Sequence, residues 1–132
     1  MWIKKIKNLF FYIFILAAGL GTGYIAVNLP QWLKPPYIEG DYSSYFPSRE
    51  TKIVLYGTSQ CPYCAMARAY FQAKNILFAN FDIEKSDKAM QEFNQLGGKS
   101  VPLIIIDIRR IDGFNESAIE AALVKLNQKN AL

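Results

Sequence analysis

Two patterns of apolar and polar positions divide the chain. From Leu9 to Leu29 the residues are apolar or small with no charge, whereas beyond Arg49 short apolar runs are separated by charged and turn-forming residues. The first stretch holds 21 residues, about 30 Å as a helix at about 1.5 Å per residue, the thickness of a bilayer's hydrocarbon. It predicts a transmembrane helix or signal anchor over 9–29. Residues 1–8 precede it as a short basic segment and 30–47 follow as a linker, in which Pro30, Pro35, Pro36, Gly40 and Pro47 disfavour a continuous element. A compact domain is expected over 48–132.

Within that domain Ile53-Val54-Leu55-Tyr56 is a β-branched and aromatic run suited to a buried strand, ending at Gly57. Pro62 fits the first position of a helix running through Lys74. Ala65, Ala69 and Ala73 are expected to face the sheet, with Tyr70 and Phe71 extending that surface. A second strand is expected at 77–81. A helix capped by Ser86 then runs through Leu96 and stops at Gly97-Gly98. Leu103 to Ile106 reads as a third strand and Arg110-Ile111 as a short fourth. Asn115 caps a last helix ending near Lys129, with Phe114 packing on Ile119 and a stripe of Ile119, Ala122, Leu123 and Leu126. This order predicts an α/β domain: a four-stranded mixed sheet of order 2-1-3-4, in predicted strand numbers, covered by three helices.

Charge adds orientation and excludes one class of partner. Lys4, Lys5 and Lys7 precede the apolar run, while Lys34, Glu39 and Asp41 follow it. The basic flank favours a cytoplasmic amino terminus and an outward-facing domain. Trp2 and Trp32 bracket the run at positions suited to the two interfaces. A cleaved secretory signal is the competing reading. Against it, Tyr24-Ile25-Ala26 puts a bulky residue three positions before a cut, although Ala17-x-Gly19 remains open. Either reading exports the domain, to the periplasm if the chain is bacterial. Gly19 and Gly23 form a GxxxG pair able to support weak helix dimerisation, which is equally ordinary membrane-helix composition. The chain carries 15 Lys and Arg against 11 Asp and Glu. So small an excess, without aromatic interleaving, gives no nucleic-acid site.

The chemistry rests on the only two cysteines, in Cys61-Pro62-Tyr63-Cys64. Cys61 at a helix start has its thiolate stabilised by free N–H groups and the helix dipole, while Cys64 lies one turn inward. This order assigns attack on a disulfide to Cys61 and resolution of the mixed disulfide to Cys64. A zinc site lacks ligands, because the chain has no His and no second cysteine pair. An inert staple is a weak alternative, since so short a loop constrains little chain entropy.

The segments Leu55-Tyr56-Gly57-Thr58-Ser59-Gln60-Cys61-Pro62-Tyr63-Cys64, Val101-Pro102, Asp82-Ile83-Glu84-Lys85-Ser86, Leu96-Gly97-Gly98-Lys99-Ser100 and Arg110-Ile111-Asp112-Gly113-Phe114 resemble the glutaredoxin family within the thioredoxin-like fold. The resemblance implies thiol-disulfide oxidoreductase activity on protein disulfides or glutathione mixed disulfides, with glutathione as co-substrate and no tightly bound cofactor. It implies a cis bond at Val101-Pro102 beside Cys61. A substrate groove would comprise Thr58, Tyr63, Lys99, Ser100, Val101, Pro102, Gly113, Phe114, Asn115 and Glu116. Lys99, Arg109 and Arg110 are candidate partners for substrate carboxylates or members of a solvated face. Thr58 stands where many relatives have Lys, Ser100 replaces a frequent Thr, and Asp112-Gly113 replaces a frequent Gly-Gly. Asn115 and Glu116 suit a ligand's amino end, or equally helix capping. Disulfide isomerisation, a membrane-tethered binding module and a glutathione-dependent iron-sulfur-bridged dimer are the alternatives.

Overall fold

The structure, a computed structural model, describes residues 1–32 and 34–131, with side chains described outside 25–32. Leu33 and Leu132, the latter the expected domain end, and the side chain of Trp32 lie outside the described residues. The chain divides into two units, Met1–Pro35 and Pro36–Leu132.

The first unit is a single helix, α1 (Trp2–Trp32). It takes in the lysines before the apolar run and continues past Pro30. Among the described residues, Trp2–Tyr24 is long and apolar enough to cross a membrane, with mean hydropathy 1.5 and none of it buried within the protein. That length and composition suit a membrane span or a signal segment alike. A Cβ added to Gly19, Gly21 or Gly23 meets nothing within 4 Å.

The second unit runs β1 (Ile38–Glu39), a 3₁₀ turn at Ser43–Tyr45, β2 (Ile53–Gly57), α2 (Pro62–Ala73), β3 (Ala79–Asp82), α3 (Asp87–Gln95), β4 (Leu103–Ile106), β5 (Arg109–Asp112) and α4 (Glu116–Asn130). Its sheet has five strands in the order β1-β5-β4-β2-β3. This corrects the four-stranded sheet of order 2-1-3-4: among the described residues the sheet has five strands, and the helices are α2, α3 and α4 of this unit with α1 before them. The strand absent from the expectation is β1, which pairs antiparallel with β5 (Ile38 opposite Arg110, Glu39 opposite Arg109). A strand of two residues, set between Pro36 and Gly40, is too short to show an alternating pattern, so the segment reads as loop.

β2 pairs parallel to β3 and antiparallel to β4, and β4 pairs antiparallel to β5. Strands β2 and β4 are buried on both faces, which is why they read as unbroken apolar runs rather than alternating ones. Ile53, Leu55, Ile104 and Ile106 join one cluster with Ala67 and Phe71 of α2 and Ile119, Ala122 and Leu126 of α4. Val54, Tyr56, Leu103 and Ile105 join the other with Ala89 and Phe93 of α3 and the adjoining Leu96. The segment before β2 is part of this packing. Tyr37 lies against the first cluster, and Tyr42, Tyr45 and Phe46 against the second.

Helix α2 turns a different face inward from the alanine stripe expected of it. Cys64, Ala67 and Phe71 are its buried residues, while Ala65, Ala69 and Ala73 are exposed. Alanine fits either face, so the stripe containing Cys64 and Phe71, which loses more apolar area to the sheet, takes the core. The other helices start where their caps place them: Ser86 Oγ accepts from Ala89 N–H at 3.2 Å, and Asn115 Oδ1 from Ala118 N–H at 3.1 Å.

Candidate active site

The site forms where β2 hands the chain to α2. Cys61 is the N-cap of α2 in extended conformation, and Pro62 occupies the first helical position. The Cys64 N–H donates to Cys61 Sγ at 3.2 Å, so one free N–H of the helix start is spent on the sulfur. Cys61 is half-buried and Cys64 buried, and both thiols are free. Burial pushes the Cys64 thiol up to about 11, helped by its hydrogen bond with Cys61 and opposed by a hydrogen bond from the Thr58 backbone and the charge of Arg68. The two sulfurs thus differ in access: one at the mouth, one behind it.

Glycine at 57 is required by this placement. A Cβ there would lie 2.8 Å from Cys64 Sγ and 3.2 Å from Cys64 Cβ. The strand end can approach the inner cysteine only because it has no side chain.

The opposite wall comes from the start of β4. The Val101–Pro102 peptide is cis, and the Cys61 thiol points to Val101 O at 3.8 Å. Gly113, at φ +85, donates its N–H to Pro102 O at 2.7 Å, which holds the segment after β5 beside this wall. Pro102 is buried and Val101 half-buried, with Lys99 and Ser100 exposed just before them. Thr58 is half-buried, and Tyr63 is exposed.

The remaining expected site residues have structural occupations. Phe114 packs on the first core cluster and lies edge-on to Tyr70. Asn115 Oδ1 is engaged by Ala118 N–H and by Ser117 Oγ at 2.8 Å, and Glu116 is exposed in the first turn of α4. Arg109 donates to Glu39 Oε1 at 3.0 Å and stacks 4.1 Å from the Tyr37 ring centre. Arg110 donates to Asp112 at 2.9 Å and to the Leu96 carbonyl.

Three residues to which the sequence assigns no role in the site, Arg68, Ser59 and Lys85, brace its mouth. Arg68 donates from Nε to Asn80 Oδ1 and from its terminal nitrogen to Thr58 O, each at 3.0 Å. Its signal was a lone cation one turn after Cys64 in an otherwise uncharged helix. Ser59 donates to Asp82 Oδ2 at 2.6 Å, and Lys85 donates to Ser59 Oγ at 2.8 Å. The Ser59 hydrogen bond, above all, holds the Asp82 carboxyl below its usual range. The position of Asp82 at the end of β3, opposite Gly57 in the parallel pair, puts it beside the loop.

A paired strand-to-helix cysteine motif beside a cis-proline strand end, on a mixed sheet covered by helices, defines a thioredoxin-like redox protein. The comparisons agree. The Glutaredoxin family profile matches residues 53–111. The chain is 35% identical over 74 residues to an uncharacterized glutaredoxin-like 8.6 kDa protein in the rubredoxin operon of Clostridium pasteurianum, covering 55% of this chain and 99% of that one. It is 31% identical over 67 residues to glutaredoxin 1 of Rickettsia prowazekii, covering 48% and 70% respectively. A mutant of the thioredoxin-like protein BC3987 superposes with a TM-score of 0.53 at 24% identity, over 55% of this chain and 95% of that chain. This chain belongs to the glutaredoxin family.

Proposed function

We propose that the chain is a membrane-anchored glutaredoxin-like thiol-disulfide oxidoreductase whose dithiol reduces protein disulfides or glutathione mixed disulfides. The observation that carries the reading is the asymmetry of the cysteine pair: Cys61 half-buried at the helix start with an N–H on its sulfur, Cys64 buried behind it. The Cys61 thiolate attacks one sulfur of the substrate disulfide, forming a mixed disulfide and releasing the other sulfur as a thiol once it takes a proton. Cys64 then gives up its proton and attacks Cys61 Sγ. The Cys61–Cys64 bond forms, the second substrate thiol leaves, and two electrons have passed from the dithiol to the substrate. A thiol or dithiol reductant returns the pair to its starting state. The groove for the incoming chain comprises Thr58, Tyr63, Lys99 to Pro102 and Gly113 to Glu116.

For location, α1 supports a single-pass anchor in a bacterial inner membrane with the domain in the periplasm, given the lysines at its start and its uncharged span. Gly19 and Gly23 offer a weak helix-dimer face.

The test compares the full chain with C61S and C64S, in detergent micelles, on a glutathione mixed disulfide and on a protein disulfide. C61S is expected to abolish both reactions. C64S is expected to keep part of the first and lose internally resolved turnover. Equal activity of all three proteins contradicts the assignment.

A further inference from the structure

The rim of the site is apolar on its α2 side and short of available positive charge. On the α2 side no charged residue occurs from Cys61 to Ala67. Tyr63 and Met66 are 61% and 49% exposed there, with Pro62 and Ala65 also at the surface. The cations that an anionic ligand would need are already engaged. Arg109 is held by Glu39 and Tyr37 with its side chain 12% exposed, and Arg110 by Asp112 and the Leu96 carbonyl. Arg68 is held by Thr58 and Asn80, and Lys85 by Ser59 and Asp82. Position 58 itself carries a neutral Thr. Lys99 is the cation left exposed beside Val101, and the adjoining segment 112–116 brings the exposed Glu116, its Asp112 being paired with Arg110.

We propose that the disulfide this site takes is carried on an uncharged, apolar stretch of polypeptide, in preference to glutathione. The inference rests on the exchange chemistry above and narrows its substrate. Glutathione brings two carboxylates per molecule, and each must be stripped of water beside a rim whose one available lysine is offset by Glu116. An apolar peptide loses nothing by that desolvation. It gains by covering Tyr63 and Met66, exposed in the first turns of the helix that Cys61 caps, and its selectivity comes from those contacts. Tyr63 and Met66 are therefore specificity residues, and the bonds broken and formed at Cys61 and Cys64 are unchanged.

The experiment uses the reduced full chain in detergent micelles and single-turnover mixing with three oxidants. These are hydroxyethyl disulfide, oxidised glutathione, and a neutral peptide disulfide whose cysteine lies between Val and Phe. The peptide is expected to react at least about tenfold faster than oxidised glutathione. Tyr63→Ser with Met66→Ser should bring the two rates together, and Thr58→Lys should raise the glutathione rate. Glutathione reacting as fast as the peptide, or an advantage that survives the double substitution, overturns the specificity while leaving the exchange reading standing. No reaction with hydroxyethyl disulfide, which is small and uncharged, overturns the exchange reading itself and the specificity with it.

Discussion

Replacing Gly57 by Ala tests how closely the strand end and the inner cysteine are fitted. The added Cβ would sit 2.8 Å from Cys64 Sγ, 3.1 Å from Leu55 Cδ2 and 3.2 Å from Cys64 Cβ. Unstrained contacts between such atoms lie at about 3.5–4.0 Å, so the sulfur or the strand must move by about 0.7 Å or more. Both are confined, because Cys64 and the whole of β2 are buried. Overpacking of this kind costs about 1–3 kcal/mol, offset by about 0.4–1 kcal/mol from the reduced freedom of the unfolded chain. A net loss of about 1–2 kcal/mol is expected. The assay is urea unfolding of the reduced protein in micelles, followed by the near-ultraviolet dichroism of the buried Tyr56. A cycle with Cys64→Ala locates the effect, since removing the sulfur removes the closest of the three contacts. The G57A penalty should fall in that background, with a coupling of about 1 kcal/mol. A G57A protein within about 0.5 kcal/mol of wild type, together with additive mutations, refutes the packing argument.

Three further outcomes follow from the same geometry. Tyr56→Phe removes the hydroxyl that donates to Glu92 Oε2 at 2.7 Å from a fully buried ring, and should cost about 1–2 kcal/mol in the same unfolding assay. The Cys64 thiol, at about 11 in the folded protein against an ordinary 9.0, binds its proton more tightly folded than unfolded. Its contribution to stability is therefore complete below pH 9 and lost as pH rises toward 11, and Cys64→Ala should flatten the alkaline fall in urea midpoint. Arg68→Leu frees Thr58 O and Asn80 and removes a charge that lowers the Cys64 thiol. It should slow resolution of the mixed disulfide and shift its pH profile upward, with Arg68→Lys restoring the profile in part.

Of the residues behind those effects, Tyr56, Gly57 and Cys64 stand out in the sequence and Arg68 does not. The cysteine pair, its helix-start placement, the caps at Ser86 and Asn115 and the buried runs of β2 and β4 were legible, because each depends on a local signal: a residue spacing, a capping oxygen, an unbroken apolar stretch. What depends on partners distant in the chain was not. Strand β1 exists because Ile38 and Glu39 find β5, and Glu39 also meets Arg109 and Lys125. Arg109 and Arg110 read as a basic pair until their partners are known. The buried face of α2 was misassigned because Cys64 was counted for its chemistry and not for its apolar volume, while three alanines supplied a regular but weaker stripe. The loop tether from Ser59 to Asp82 joins residues of two parallel strand ends, a neighbourhood that only the sheet pairing creates.

The division of labour between the two sulfurs is tested most directly by alkylation of the reduced full chain with iodoacetamide at pH 7, with the labelled residue identified by mass spectrometry. A thiol held up at about 11 is ionised to on the order of one part in ten thousand at that pH, and Cys64 is also closed to solvent. The expected result is a single adduct on Cys61, with Cys64 labelled only after unfolding. Labelling of Cys64 first, or of both at equal rates, would contradict the account.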